Sequence, residues 1–211
     1  MKTWEKYASG ADRWSAEAYA DARTYLAQRA ALVRGLGPRL EPGDTVLDLA
    51  CGDAGLGDFL TGLRYRGVDA SPQMVEAARR RGYDVVQADL NDYTPADPVQ
   101  ATLIFRAIYY ARDRPALFER IARFTEKKLV FDLNPRQYRV ADVRADLAAA
   151  GFDRLALRPF FVPQTRALPV PLGGALRGLE RSGPLAWLLL RFRFTLLCAA
   201  SRSGVSGRSG S

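Results

Sequence analysis

Histidine is absent from this chain. Without imidazole there is no Ser-His-Asp triad, no histidine-ligated zinc and no imidazole base, so any general base has to be a carboxylate, a tyrosine, a lysine or water. Cysteine is nearly absent too. Cys51 and Cys198 stand far apart without a metal-type spacing, which argues against a disulfide framework and against a cysteine-ligated metal. No resident metal is therefore expected, and a reducing cytoplasm is the expected compartment. Residues Met1 to Leu26 mix charged and aromatic side chains and lack the apolar core of a secretory signal. Long apolar runs are missing as well: the most apolar stretch, Leu185 to Ala200, carries Arg191 and Arg193 and is too short and too charged to span a bilayer. Lysine occurs only at positions 2, 6, 127 and 128, so the net charge of +8 comes from arginine. That excess suits an anionic partner or simply a set of solvated faces, and by itself names neither.

What is present fits one globular α/β domain: 211 residues, 48% hydrophobic and 26% charged. Its organising stretch is Val46-Leu47-Asp48-Leu49-Ala50-Cys51-Gly52-Asp53-Ala54-Gly55-Leu56-Gly57. An apolar strand ends in a carboxylate, breaks into a turn of small residues and re-enters what reads as a helix over Gly57 to Leu63. This arrangement builds a nucleotide-like binding place at the C-terminal end of a strand. Gly52 is the residue best suited to a positive φ, and the small residues around it let backbone approach a ligand closely. A second strand, Arg64 to Val68, leads to Asp69-Ala70-Ser71, with Ser71 as N-cap and Pro72 at the first helical position. An acid about 20 residues beyond the turn is where a Rossmann-type site takes ribose hydroxyls. A third strand, Val85 to Ala88, ends at Asp89-Leu90. Three carboxylates, Asp48, Asp69 and Asp89, thus close three successive strands.

These residues carry a resemblance. The strand, Asp48 and Gly52 are similar to motif I of the class I S-adenosylmethionine-dependent methyltransferases, with Ala50 and Ala54 where that family usually has glycine. The segment Gly67-Val68-Asp69-Ala70-Ser71 followed by Met74 resembles the family's post-I motif. The resemblance covers residues 40–135 and implies S-adenosylmethionine as cofactor. It implies that the motif I backbone, Asp48, Ala50 and Gly52 among it, holds the amino acid portion. Asp69 with Ala70 would take the ribose, and Asp89 with Leu90 the adenine. Arg106, closing the fourth strand (Ala101 to Arg106), is expected at the cofactor as well. Tyr109 and Tyr110 stand where relatives often carry a histidine pair and are the expected catalytic or positioning residues. A sulfonium already activates the methyl group, so a strong base is not obligatory and the missing histidine is compatible with methyl transfer.

Elsewhere the pattern supplies covering elements. Residues 1–40 read as helices, ended by Gly35, Gly37 and Pro38, and the resemblance makes them a lid over the cofactor, with Tyr7 and Trp14 facing the acceptor. A helix over Pro115 to Phe124, a strand over Lys127 to Leu133, a helix over Val140 to Ala150 and a strand over Phe152 to Val162 follow. Asn134-Pro135-Arg136-Gln137-Tyr138 superficially resembles the Asn-Pro-Pro-Tyr motif of nucleobase amino-methyltransferases. It is altered, and it lies after the fifth strand rather than the fourth, so it is discounted as a DNA signal; Arg136 and Tyr138 remain acceptor-side residues. Leu172 to Leu190 is a basic, Trp-bearing amphipathic segment that either covers the sheet or rests on an anionic membrane. Arg191 to Leu196 alternates at period two and reads as a terminal strand.

The expectation is an α/β fold: a Rossmann-like, seven-stranded, mostly parallel sheet with helices on both faces, an antiparallel last strand and an N-terminal helical lid. The lid spans 1–40, the cofactor-binding domain 41–201 and a disordered tail 202–211. The expected activity is methyl transfer from S-adenosylmethionine to a small-molecule acceptor. Alternatives are a lipid-linked or glycosyl acceptor at a membrane surface, a nicotinamide-dependent oxidoreductase, and a cofactor-binding protein without chemistry. Nucleic acid is not an expected partner.

Overall fold

Seven strands form one sheet in the order β3-β2-β1-β4-β5-β7-β6. The computed structural model describes residues 11, 14–164, 175, 178–180 and 195–203. In chain order the strands are β1 (Thr45–Leu49), β2 (Arg64–Asp69), β3 (Asp84–Gln87), β4 (Val99–Ile104), β5 (Thr125–Leu133), β6 (Arg154–Phe160) and β7 (Thr195–Ser201). The helices are α1 (Trp14–Glu17), α2 (Ala22–Gly35), α3 (Pro72–Arg80), α4 (Arg114–Phe124) and α5 (Val140–Ala149). Strands β1 to β5 pair in parallel, and β7 inserts antiparallel between β5 and β6. The chain switches direction across the sheet at β1, which lies between β2 and β4. A doubly wound sheet opens a crevice at such a switch point, at the carboxyl ends of its strands.

Side-chain alternation along β1 assigns its two faces. Leu47 and Leu49 enter the core shared with α4 and α5, beside Leu117, Phe118, Ile121, Val143 and Leu147. Val46 enters the opposite core with Tyr25, Leu26, Ala30 and Val33 of α2. By the same period of two, Asp48 is directed to the α2 side. Burial on both faces explains why the central strands β1, β4 and β5 carry near-continuous apolar runs, while β2 and β3 toward the edge keep exposed residues.

Helix ends follow their local chemistry. The Ser71 hydroxyl accepts from the Met74 N–H at 3.4 Å, with Pro72 at the first turn of α3. The Asp113 carboxylate caps α4 through the Ala116 N–H at 3.0 Å. Between β1 and β2 the outcome differs from the helix expected over Gly57 to Leu63. Only a 3₁₀ helix forms, over Gly55–Phe59. Gly55, Gly57 and Gly62 each cost a helix about 1 kcal/mol relative to alanine, so the segment does not sustain an α-helix or its N-terminal anion site. Strand boundaries move by a residue or two elsewhere. The terminal strand lies at Thr195–Ser201 rather than 191–196, and residues 181–194 fall outside the described set, as do Tyr7, most of the Leu172 to Leu190 segment and 204–211. Among the described residues no helix is long and apolar enough to cross a membrane.

Candidate functional site

The crevice at the switch point is a cleft of about 730 Å³, within the range that small-molecule sites occupy. Its floor is the turn after β1. Gly52 has φ +60°, and a Cβ there would stand 3.3 Å from Trp14 Cδ1, because the α1 indole lies over the turn. Ala50 and Ala54 take the same left-handed backbone, at φ 64° and 58°. The turn keeps its shape with alanine in glycine's usual places, at about 1 kcal/mol or more of strain each. At Gly55 a Cβ would stand 2.1 Å from the Ser15 hydroxyl.

Asp53 is why Ser15 comes so close. Its carboxylate is buried and accepts from the Ser15 N–H at 3.0 Å, from the Ser15 hydroxyl and from the Gly55 N–H at 3.2 Å. Arg81 donates to the Asp53 carbonyl at 2.6 Å from the other side. One carboxylate therefore joins α1, the turn after β1 and the end of α3.

Two of the three acids singled out from the sequence, Asp69 and Asp89, line one wall of the cleft. Asp69, the last residue of β2, accepts from the Gly52 N–H at 2.8 Å and the Ser71 N–H at 2.9 Å. Burial raises its pKa, against the pull of those donors. A carboxylate offers about four lone-pair sites, so room remains for ligand hydroxyls. Asp89 lies two residues beyond β3. Burial opposes its charge, but the Asn91 N–H at 2.8 Å, the Asn91 amide and Arg112 at 2.8 Å outweigh it and leave the pKa lowered. Ala70 and Leu90 line the same wall.

Asp48 is a different kind of acid. It is the fourth residue of β1 rather than its end, is 3% exposed, and accepts from the Tyr65 hydroxyl at 2.8 Å. Burial pushes its pKa up to about 7, with the Tyr65 bond and Arg29 pulling the other way.

The opposite wall comes from α2 and the ends of β4 and β5. Arg106 follows β4 in a left-handed conformation, φ 54°. Its N–H donates to Asp132 Oδ1 at 2.7 Å, while Asp132 Oδ2 accepts from Arg29 at 3.0 Å. Arg29 is 2% exposed, also bonds the Tyr25 hydroxyl at 2.9 Å, and lies 4.3 Å from the Phe105 ring centre. Tyr109 and Tyr110 form a short 3₁₀ turn at the mouth, ring centres 4.3 Å apart, with Tyr109 48% exposed.

Of the residues expected from sequence, Asp48, Ala50, Gly52, Asp69, Ala70, Asp89 and Leu90 all line this cleft, and so do Arg106, Tyr109, Tyr110 and Trp14. Arg136 and Tyr138 do not. The Asn134 side chain accepts from the Arg136 N–H at 3.0 Å and the Asn134 carbonyl from the Tyr138 N–H at 3.1 Å, turning the chain away. Arg136 is exposed, and Tyr138 packs with Arg114 5.3 Å from its ring centre. Sequence reading passed over Arg29, Asp53 and Asp132. A charged residue within the apolar stripe Tyr25, Leu26, Ala30, Val33, and a lone acid in the buried run Leu129 to Leu133, were the available signals.

Known proteins resemble this chain in sequence over part of its length and in fold. Residues 46–128 match the family model described as a methyltransferase domain. Trans-aconitate 2-methyltransferases of Mycobacterium tuberculosis and Mycobacterium bovis are 32% identical over 85 residues, 38% of this chain and 33% of theirs. The chain thus aligns with about a third of the length of those relatives. A chain from the complex of the Haloferax volcanii Trm112 methyltransferase activator with a methyltransferase superposes with a TM-score of 0.66 at 21% identity, covering 97% of this chain and 98% of that one. Magnesium protoporphyrin IX methyltransferase from Synechocystis with bound S-adenosylmethionine gives 0.56 at 18% identity, over 93% of this chain and 80% of that one. At such identities these two establish the fold.

Proposed function

We propose that the chain, whose residues 46–128 match the family model described as a methyltransferase domain, binds S-adenosylmethionine in the β1–β4 cleft and methylates a small-molecule acceptor. The observation that carries this reading is the placement of Asp69 and Asp89 beside the Gly52 turn in one cleft. Two acids at the ends of neighbouring parallel strands suit a nucleoside, with its hydroxyls at one end and its amino group at the other. The cofactor supplies a methyl group already activated on a sulfonium.

The chain's own residues do the rest. Asp69 accepts ribose hydroxyls, and Asp89, shared with Arg112, accepts from the adenine amino group. The backbone of Ala50 and Gly52 approaches the amino acid portion closely, and Asp48 answers positive charge above the turn. Residues 1–40 act as the lid, with Trp14 over Gly52. Tyr109 and Tyr110 flank the acceptor at the mouth, orienting it and excluding water; positioning of this kind is the main requirement when the group is already activated.

Calorimetry with S-adenosylmethionine, S-adenosylhomocysteine and NAD, followed by a methyl-transfer screen of small acceptors, tests the reading. Binding of both adenosyl ligands and not of NAD is expected, and NAD binding alone would overturn it. Asp69→Ala is expected to weaken S-adenosylhomocysteine by tenfold or more. Undiminished affinity would refute the site assignment.

A further inference from the structure

We propose that Arg106 is a receptor for an anionic oxygen group, a carboxylate or phosphate, on the methyl acceptor. The inference rests on the cofactor reading above and deepens it. Arg106 is one of three non-glycine residues with positive φ among the described residues. Unlike the two alanines it belongs to no glycine turn. Such strain costs about 1–3 kcal/mol and persists where surrounding structure enforces it. Here the enforcing contact is the Arg106 N–H on Asp132 Oδ1 at 2.7 Å, and Asp132 is itself held by the buried Arg29. The backbone is thus fixed so that the side chain enters the cleft.

The guanidinium has an aromatic cradle, in which Tyr19 is also a hydrogen-bond partner, and no carboxylate counter-ion among the described residues. Its carbon lies 5.6 Å from the Tyr19 ring centre and 6.0 Å from that of Trp14, both on the lid side. The carboxylates of the cleft and its surroundings are bonded elsewhere: Asp132 to Arg29, Asp89 to Arg112, Asp53 to Ser15 and Arg81, Asp48 to the Tyr65 hydroxyl, and Asp69 to the Gly52 and Ser71 N–H groups. Arg29 and Asp132 neutralise each other, so Arg106 is the net positive charge of this end of the cleft. A planar fork of donors between two rings, partly desolvated and with no carboxylate partner among the described residues, recognises carboxylate or phosphate in two-point fashion. Arg106 lies beside Trp14 and Tyr19, and Trp14, with Tyr109 at the mouth, is among the side chains read as facing the acceptor.

The experiment compares wild type, Arg106→Gln and Arg106→Lys, each verified as folded by thermal denaturation. Calorimetry measures S-adenosylhomocysteine affinity. Succinate and inorganic phosphate are then titrated into the saturated protein, with succinamide as the neutral control. Expected is wild-type binding of at least one anion and not of succinamide, a loss of about tenfold or more in Arg106→Gln, partial recovery in Arg106→Lys, and cofactor affinity within about twofold throughout. Anion binding equal in Arg106→Gln and wild type, or absent from wild type, overturns the proposal. A tenfold loss of S-adenosylhomocysteine affinity in Arg106→Gln overturns it too, assigning Arg106 to the cofactor's carboxylate. Failure of wild type to bind S-adenosylhomocysteine would instead refute the cofactor reading, and the anion titrations, run on the ligand-free protein, would still decide Arg106.

Discussion

At the scale of single residues, Asp48 sets a pH dependence. An unfolded aspartate titrates near 3.8, whereas the buried native group titrates near 7. Between these values the native state holds a proton that the unfolded state has lost. Stability of the ligand-free protein therefore falls as pH rises from about 4 to about 7, and this contribution is gone above the native value. A cationic ligand above the turn favours the carboxylate. S-adenosylmethionine affinity is expected to rise with pH through about 7, with proton release on binding below it. Calorimetry in buffers of different ionisation enthalpy reads that release, and Asp48→Asn should abolish it. The alanines in the turn give a second test at this scale. Ala50→Gly relieves a left-handed alanine and should stabilise by about 0.5–1 kcal/mol in urea denaturation. Ala54 is 0% exposed among Val75, Ala78 and Val85. Its methyl contributes about 0.8 kcal/mol of burial, so Ala54→Gly should be close to neutral. Equal gains at both sites would contradict this account.

At the scale of elements, α1 is a four-residue helix, too short to persist alone. Its tether is Asp53, through the Ser15 N–H and hydroxyl. Asp53→Ala should release it, exposing residues 14–21 to faster limited proteolysis and weakening S-adenosylhomocysteine several-fold. Unchanged cleavage and affinity would show that the tether does not hold the lid. The α2–β5 contact depends on a different kind of interaction, the Arg29–Asp132 pair at 3.0 Å with side chains 2% and 8% exposed. Truncating one partner of a buried pair leaves a charge uncompensated, and Asp132→Ala should cost about 3–5 kcal/mol in chemical denaturation. A cost below about 1 kcal/mol would mean that water or rearrangement replaces Asp132.

At the scale of the whole molecule, a cleft walled by α1, α2 and the ends of β1, β2 and β4 couples ligand binding to global stability. S-adenosylhomocysteine at a hundredfold excess over its Kd should stabilise the native state by about 2.7 kcal/mol. For a chain of this size that raises Tm by about 5–10 °C in a scan, while NAD should leave it unchanged. The parallel order of strands and helices was readable in the chain because both faces of the central strands are buried, which writes those strands as apolar runs and each turn as glycine, proline or a capping residue. Asp69 and Asp89 were readable for the same reason: each polar residue falls where an apolar run stops. Local sequence thus determined the alternation of elements, the glycine turn and its flanking acids. Only the tertiary structure decided that Trp14 lies over Gly52 and that Arg29, Asp53 and Asp132 join distant elements. Those outcomes depend on pairs as far apart as Ser15 and Asp53 or Arg29 and Asp132, whose polar groups meet only once the sheet is assembled and water has been excluded from between them.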